Sequence, residues 1–221
     1  MDTSSTSAAK SAAKGRSAPR AASRRKSEFP RTPSLTPHMS DEELDCFTRH
    51  LAGVERYLEF GCGGSTVWAA RAKVKRIVSV ESDPDWITKC RLAPELKGAD
   101  VAFVHVDIGE TGEWGKPVNS LGAERWPAYS GAGWDLLDAP PDLVFVDGRY
   151  RVACGLQAVL RTPPSTKLVI HDFWNRPAYY ELLNFCDLAE AAKTLAVLRP
   201  RQTVDWRALA LALTRHLMDW R

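Results

Sequence analysis

The chain has 221 residues, 44% hydrophobic and 26% charged, enough for one domain with a sizeable core and not for two of ordinary size. Its net charge of +3 is unevenly placed: eight Lys or Arg against two acids give residues 1–40 a charge of +6 and leave −3 on the rest, so the folded part lacks the basic balance of a nucleic-acid-binding domain. Five cysteines, odd in number and without a C-x-x-C pair, argue against a disulfide frame or zinc site and for reduced thiols in the cytoplasm, and no apolar run approaches the roughly 20 residues of a membrane helix.

Residues 1–38 are Ser, Ala, Lys, Arg and Pro with almost no large apolar side chain before Phe29. They cannot bury enough surface to fold and read as a disordered basic tail. Their excess of Ser and Arg over acids also suits an organelle transit peptide, the alternative to a cytoplasmic location. The folded domain is expected over residues 39–221. Ser40-Asp41-Glu42-Glu43 forms a capping box, after which Leu44, Phe47 and Leu51 share one helical face and Gly53 ends the helix.

Residues 56–66 read R-Y-L-E-F-G-C-G-G-S-T. Tyr57, Leu58 and Phe60 suit a buried strand, Glu59 puts a carboxylate near its end, Gly61, Gly63 and Gly64 make a turn, and Ser65 and Thr66 open a helix. Strand, glycine turn and helix N-terminus together form a nucleotide-binding crevice of a doubly wound sheet. A dinucleotide fingerprint would place its third glycine at Thr66, and Glu59 would repel a pyrophosphate. A second strand, Ile77 to Val80, stops at Glu81, where such a fold places the acid that bridges ribose hydroxyls, and Asp83-Pro84 starts the next helix. A third strand, Val101–Val106, ends at Asp107-Ile108.

Gly109 to Pro141 is long and irregular, with Trp114, Trp126, Tyr129 and Trp134 among many Gly and Pro. Loops of this length are commonly functional, and the aromatic content argues for an ordered lid over an acceptor site. Leu143–Val146 and Lys167–Ile170 are further buried strands, delivering Asp147-Gly148-Arg149-Tyr150 and His171-Asp172 at their ends. Asp107, Asp147, Asp172 and His171 at successive strand ends are hard to explain as core packing. A helix over Tyr179–Ala192, a strand over Thr194–Leu198 and a helix from Asp205 onward complete the pattern, so that six strands are legible; Arg199–Val204 could supply an edge.

The pattern E-x-G-x-G-x-S, carried by Glu59, Gly61, Gly63 and Ser65, resembles the first motif of the class I SAM-dependent methyltransferases. Val-Asp-Gly at 146–148 and His-Asp at 171–172 are similar to the corresponding positions of small-molecule and sugar O-methyltransferases, and the likeness spans about residues 54–176. It implies an α/β fold: a doubly wound, mostly parallel six- or seven-stranded sheet with helices on both faces. The cofactor would be S-adenosylmethionine (SAM), held by Glu59, Gly61, Gly63, Ser65, Thr66 and Glu81, with Asp107 and Ile108 at the adenine. SAM has no phosphate and carries an ammonium and a sulfonium, so an acid beside the turn favours it. The implied reaction is in-line methyl transfer to a hydroxyl of a small molecule or sugar, with Asp147, His171 and Asp172 as the catalytic set. In one version His171 is the general base; in the other Asp147 and Asp172 hold a Mg²⁺ that lowers the acceptor's pKa. Two other classes stand beside it: a Rossmann-like domain that binds a nucleotide or a partner without turnover, and an NAD-type oxidoreductase, which Glu59 and the missing third glycine disfavour.

Overall fold

The computed structural model describes residues 35–221. Short runs of β-branched and aromatic residues build five parallel strands: β1 (Arg56–Phe60), β2 (Arg76–Glu81), β3 (Val101–His105), β4 (Leu143–Val146) and β5 (Lys167–Ile170). Two antiparallel strands, β6 (Cys186–Ala192) and β7 (Leu195–Pro200), extend them to a seven-stranded sheet of order β3-β2-β1-β4-β5-β7-β6. The order reverses between β1 and β4, and a doubly wound sheet opens its ligand crevice at such a switch point, outside the carboxyl ends of the strands.

Alternate side chains feed two layers. Tyr57, Ile77, Leu143, Phe145, Val169 and Val197 face α1 (Asp41–Leu51) and α2 (Gly64–Arg71). Leu58, Phe60, Val80, Val146 and Ile170 face the opposite layer, which contains α4 (Pro127–Gly131), α5 (Arg151–Arg161) and α6 (Trp206–His216). On β1 this alternation puts Glu59 on the same face as Tyr57, toward α2. Between β2 and β3 lies α3 (Pro84–Arg91), which Asp83 caps by accepting from the backbone of Asp85 and Trp86.

The expected helix over Tyr179–Ala192 divides. Its first half is a 3-10 segment, Pro177–Asn184, and its second half is β6. Residues of β6 such as Leu188, Ala189, Glu190 and Ala191 favour helices, but pairing with β7 decides their state. As an edge strand, β6 leaves most of its side chains exposed, and a bulge between Leu188 and Glu190 breaks the period of two that would have announced it. Lys193, left-handed at φ 48°, turns β6 into β7. The strand missing from the six legible ones is thus β6, and it supplies the closing edge in place of Arg199–Val204. The last helix stops at His216, with Asp205 as its cap.

The stretch 109–141 is also different in kind from a lid. Trp126, Tyr129 and Trp134 are buried, and Tyr129 and Trp134 pack on Phe60, so most of this tract is the layer over one sheet face. Only its start, at Trp114, Gly115 and Lys116, together with Tyr129, reaches the cavity described next. Residues 1–34 of the expected tail lie outside the described residues.

Candidate active site

Gly61 takes a left-handed φ of 98°, and a Cβ there would lie 2.6 Å from Gly148 N, so glycine lets the exits of β1 and β4 touch. Gly148 N donates to Phe60 O at 2.6 Å and Gly61 N to Val80 O at 2.8 Å, tying the turn to both neighbouring strands. Gly64 answers to a different neighbour. A Cβ on it would overlap the backbone of Thr36 and Pro37, which cross the start of α2. Leu35 packs against Cys62, Ile87 and Cys90. The chain therefore already lies against the glycine turn four residues before position 39, within the stretch assigned to the tail.

Glu59 is fully buried beneath this turn. Its carboxylate accepts from Tyr57 Oη at 2.9 Å, Ser65 Oγ at 2.7 Å and Ser79 Oγ at 2.7 Å, and also from Thr66 Oγ1. Thr66 Oγ1 in turn accepts from Gly63 N at 2.9 Å. Burial pushes the Glu59 pKa up to about 7, against the lowering effect of the four hydroxyls. Glu59 and Thr66 thus brace the turn from below, whereas Gly61, Gly63 and Ser65 line the cavity. The repulsion argued from Glu59 against a pyrophosphate fails, because its hydroxyl-ringed carboxylate does not face the ligand space.

Glu81 ends β2 at the cavity wall. Oε1 accepts from Ser82 N at 2.6 Å and Asp83 N at 3.0 Å, while Oε2 accepts from Cys62 N at 3.2 Å and retains lone-pair capacity. Burial raises its pKa, and the backbone donors oppose that.

Asp147, His171 and Asp172 do converge. His171 Nδ1 lies 3.0 Å from Asp147 Oδ1. The carboxylate accepts, so the imidazole proton sits on Nδ1 and Nε2 keeps its lone pair. Nε2 is 3.9 Å from Glu43 Oε2, beyond hydrogen-bonding reach. Burial depresses the His171 pKa, but the hydrogen bond and charge of Asp147 outweigh it and leave the pKa raised. Between the two aspartates stands a residue that the motif reading missed. Arg151, 4% exposed, places Nη2 3.1 Å from Asp147 Oδ1 and Nη1 3.3 Å from Asp172 Oδ2. Nη1 also donates to His171 O at 2.7 Å, and Nε donates to Gly148 O at 3.1 Å. Asp172, left-handed at φ 58°, is further held by Arg176 Nη2 at 3.1 Å. Burial raises the Asp172 pKa, but the charges of Arg151, His171 and Arg176 prevail and hold it low.

One cavity of about 1010 Å³ takes in the glycine turn, Glu81, Asp147, His171 and Asp172. No protein-family model matches the sequence, and no curated protein sequence matches it. Among solved structures, a methyltransferase-like protein from Silicibacter pomeroyi is similar with a TM-score of 0.75 and 29% identity, covering 84% of this chain and 98% of that one. The chain carries the class I methyltransferase fold. A methyltransferase from Geobacter sulfurreducens matches with a TM-score of 0.49 and 14% identity, over 75% of this chain and 82% of that one. The N-methyltransferase NodS from Bradyrhizobium japonicum matches with 0.46 and 16%, over 72% and 97%.

Against this class I methyltransferase fold, the remaining expectations sort by position. Asp107 lies outside the cavity, exposed and paired with Arg125, and Ile108 is buried with its carbonyl accepting from Trp126 Nε1 at 2.9 Å. The strand end reads correctly, but the side chains are turned to other partners. The structure gives the Mg²⁺ assignment no support. Ligand atoms of Asp147, His171 and Asp172 lie within 4.8 Å of one another, yet the cation bridging the two carboxylates is the Arg151 guanidinium. With both carboxylates already paired with Arg151, the pair offers a magnesium ion little net charge. Arg151 follows Asp147 by four residues, and that spacing is the signal the sequence carries for the pair. Among the described residues no helix is long and apolar enough to cross a membrane.

Proposed function

We propose that this protein transfers a methyl group from SAM to a hydroxyl of a small molecule or sugar. The observation that carries the reading is the continuity of one cavity from Glu81 and the glycine turn to the Asp147–His171 pair. Its volume suits a cofactor and a second small ligand together. Gly61 and Gly63 would cradle the cofactor, and Glu81 Oε2 would accept from the ribose. A dinucleotide is disfavoured by the chain itself: Thr36 and Pro37 pack against Gly64 at the start of α2, where a pyrophosphate would need open amides.

When bound, SAM supplies an electrophilic methyl carbon on a sulfonium. His171 takes the acceptor's hydroxyl proton at Nε2, and Asp147 stabilises the imidazolium that results. Arg151 fixes Asp147 and Asp172 and keeps the two carboxylates from repelling each other. In-line displacement needs donor and acceptor about 3 Å apart, so both would have to share this cavity.

A thermal shift with SAM and with S-adenosylhomocysteine (SAH), set against NAD(H), tests the cofactor. At 100 times Kd the expected stabilisation is about 2.7 kcal/mol. Stabilisation by NAD(H) alone would overturn the reading. Binding of SAM without methyl transfer to any of a panel of labelled hydroxyl acceptors would favour a binding domain without turnover.

A further inference from the structure

Arg149, Arg151 and Arg176 all line the cavity, against Asp147 and Asp172 at the same end. Arg151 bridges both aspartates and Arg176 adds a contact to Asp172, so both carboxylates are engaged. Arg149 is left over. It is 6% exposed, and among the described residues its guanidinium has no ion pair, while Nε is buried with no hydrogen-bond partner. Burial, and then the like charge of Arg151, hold its pKa below the usual arginine value. Beside it the buried Tyr129 Oη also lacks a partner, close over Gly148 on the cavity wall.

A buried guanidinium nitrogen without a partner is unfavourable, and the planar fork of arginine matches carboxylate and phosphate. Arg149 shares the cavity wall with Tyr129, Gly148, Arg151 and Arg176. Asp147 and His171 line the same cavity. We propose, resting on the methyltransferase reading of this cavity, that Arg149 seats an anionic group of the methyl acceptor, a carboxylate or a phosphate. The acceptor is then a hydroxylated acid or a sugar phosphate, with its hydroxyl presented to His171.

The test uses the full-length protein, alone and saturated with SAH, titrated calorimetrically with benzoate and phenyl phosphate as acidic probes and benzyl alcohol as the neutral control. An acidic probe should bind at least tenfold more tightly than benzyl alcohol. R149Q should abolish that preference and R149K should keep part of it, with SAH affinity within twofold in both. Ligand-free R149M should melt no lower than the wild type, since among the described residues the guanidinium it removes has no ion pair and its Nε no hydrogen bond. Equal binding of acids and alcohol to the wild type, or an acid preference that survives in R149Q, overturns the proposal; should R149Q fail to fold, an R149K preference lost completely does the same. Loss of SAH affinity in R149Q with methylthioadenosine binding unchanged would mean that Arg149 holds the cofactor's carboxylate, which also overturns it. If the wild type binds neither SAH nor methylthioadenosine, the methyltransferase reading falls, and the acid preference measured without SAH decides the anion site separately.

Discussion

The two ends of the cavity treat their buried polar groups in opposite ways. At β1 and β2, Glu59 collects four hydroxyl donors and Glu81 the amides of Cys62, Ser82 and Asp83. At β4 and β5, Arg149 Nε, Tyr129 Oη and Tyr179 Oη are buried without partners among the described residues, and Tyr150 and Asp172 sit in left-handed backbone. The first end is completed by the protein and holds its shape without a ligand. The second keeps unused donors and backbone strain, both of which a bound acceptor can use.

The largest expected effect falls on the strained end. His171→Ala should lower the rate of methyl transfer by about 10²–10⁴ while leaving SAH affinity nearly intact. Because the His171 pKa is raised above 6.5, the imidazolium persists to higher pH, and the wild-type rate should fall on the acid side with a midpoint above that value. Asp147→Asn should bring this midpoint down as well as slowing turnover. Single-turnover rates across pH check both, and unchanged rates in both variants would move the chemistry elsewhere in the cavity.

On the completed end, Gly61→Ala should act through shape. Its Cβ would press on Gly148 N in a left-handed backbone, a strain of about 1–3 kcal/mol, read as a lower melting temperature together with weaker SAH binding. A normal melt and normal affinity would show that the β1 and β4 exits tolerate separation. Glu81→Ala should weaken SAH by about 1.5–3 kcal/mol, the range for a hydrogen bond to a charged group. Calorimetry showing wild-type affinity would reduce Glu81 to a cap for the backbone of Ser82 and Asp83.

Smaller effects test whether buried carboxylates are structural. Glu43 accepts from Ser40 N at 2.8 Å and, across the fold, from Thr194 N at 3.0 Å. Burial raises its pKa, but the bonds from Thr194 and Ser40 outweigh this and bring it to about 2. Its contribution is therefore present above the usual 4.5 and is lost as pH falls from there toward 2. Glu43→Ala should cost about 1–3 kcal/mol at neutral pH, and denaturant melts should show the gap from wild type closing in acid. Glu59 has the opposite sign. With its pKa raised to about 7, its contribution is full below the usual 4.5 and fades as pH rises through 7. Glu59→Gln should flatten that part of the stability profile, and an unchanged slope would show that another group sets it.

The sequence by itself determined the strands β1 to β5, the glycine turn and the acids at the strand ends. Each is local: buried parallel strands are short apolar runs, and a turn of this kind needs glycine wherever it stands. It also determined the Ser40–Glu43 capping box, which forms as read. Tertiary structure decided where each carboxylate points. Glu59 faces α2 because β1 alternates its side chains, so its hydroxyl partners come from residues 57, 65, 66 and 79. Asp107 turns to Arg125, and Arg151 bridges Asp147 and Asp172. Strand β6 likewise depends on its neighbour: an exposed, bulged edge carries no periodic signal of its own, and the hydrogen bonds that make it a strand belong to β7. Arg149 reads as one more charged residue in the chain, and only the folded structure shows that, among the described residues, no acid pairs with it.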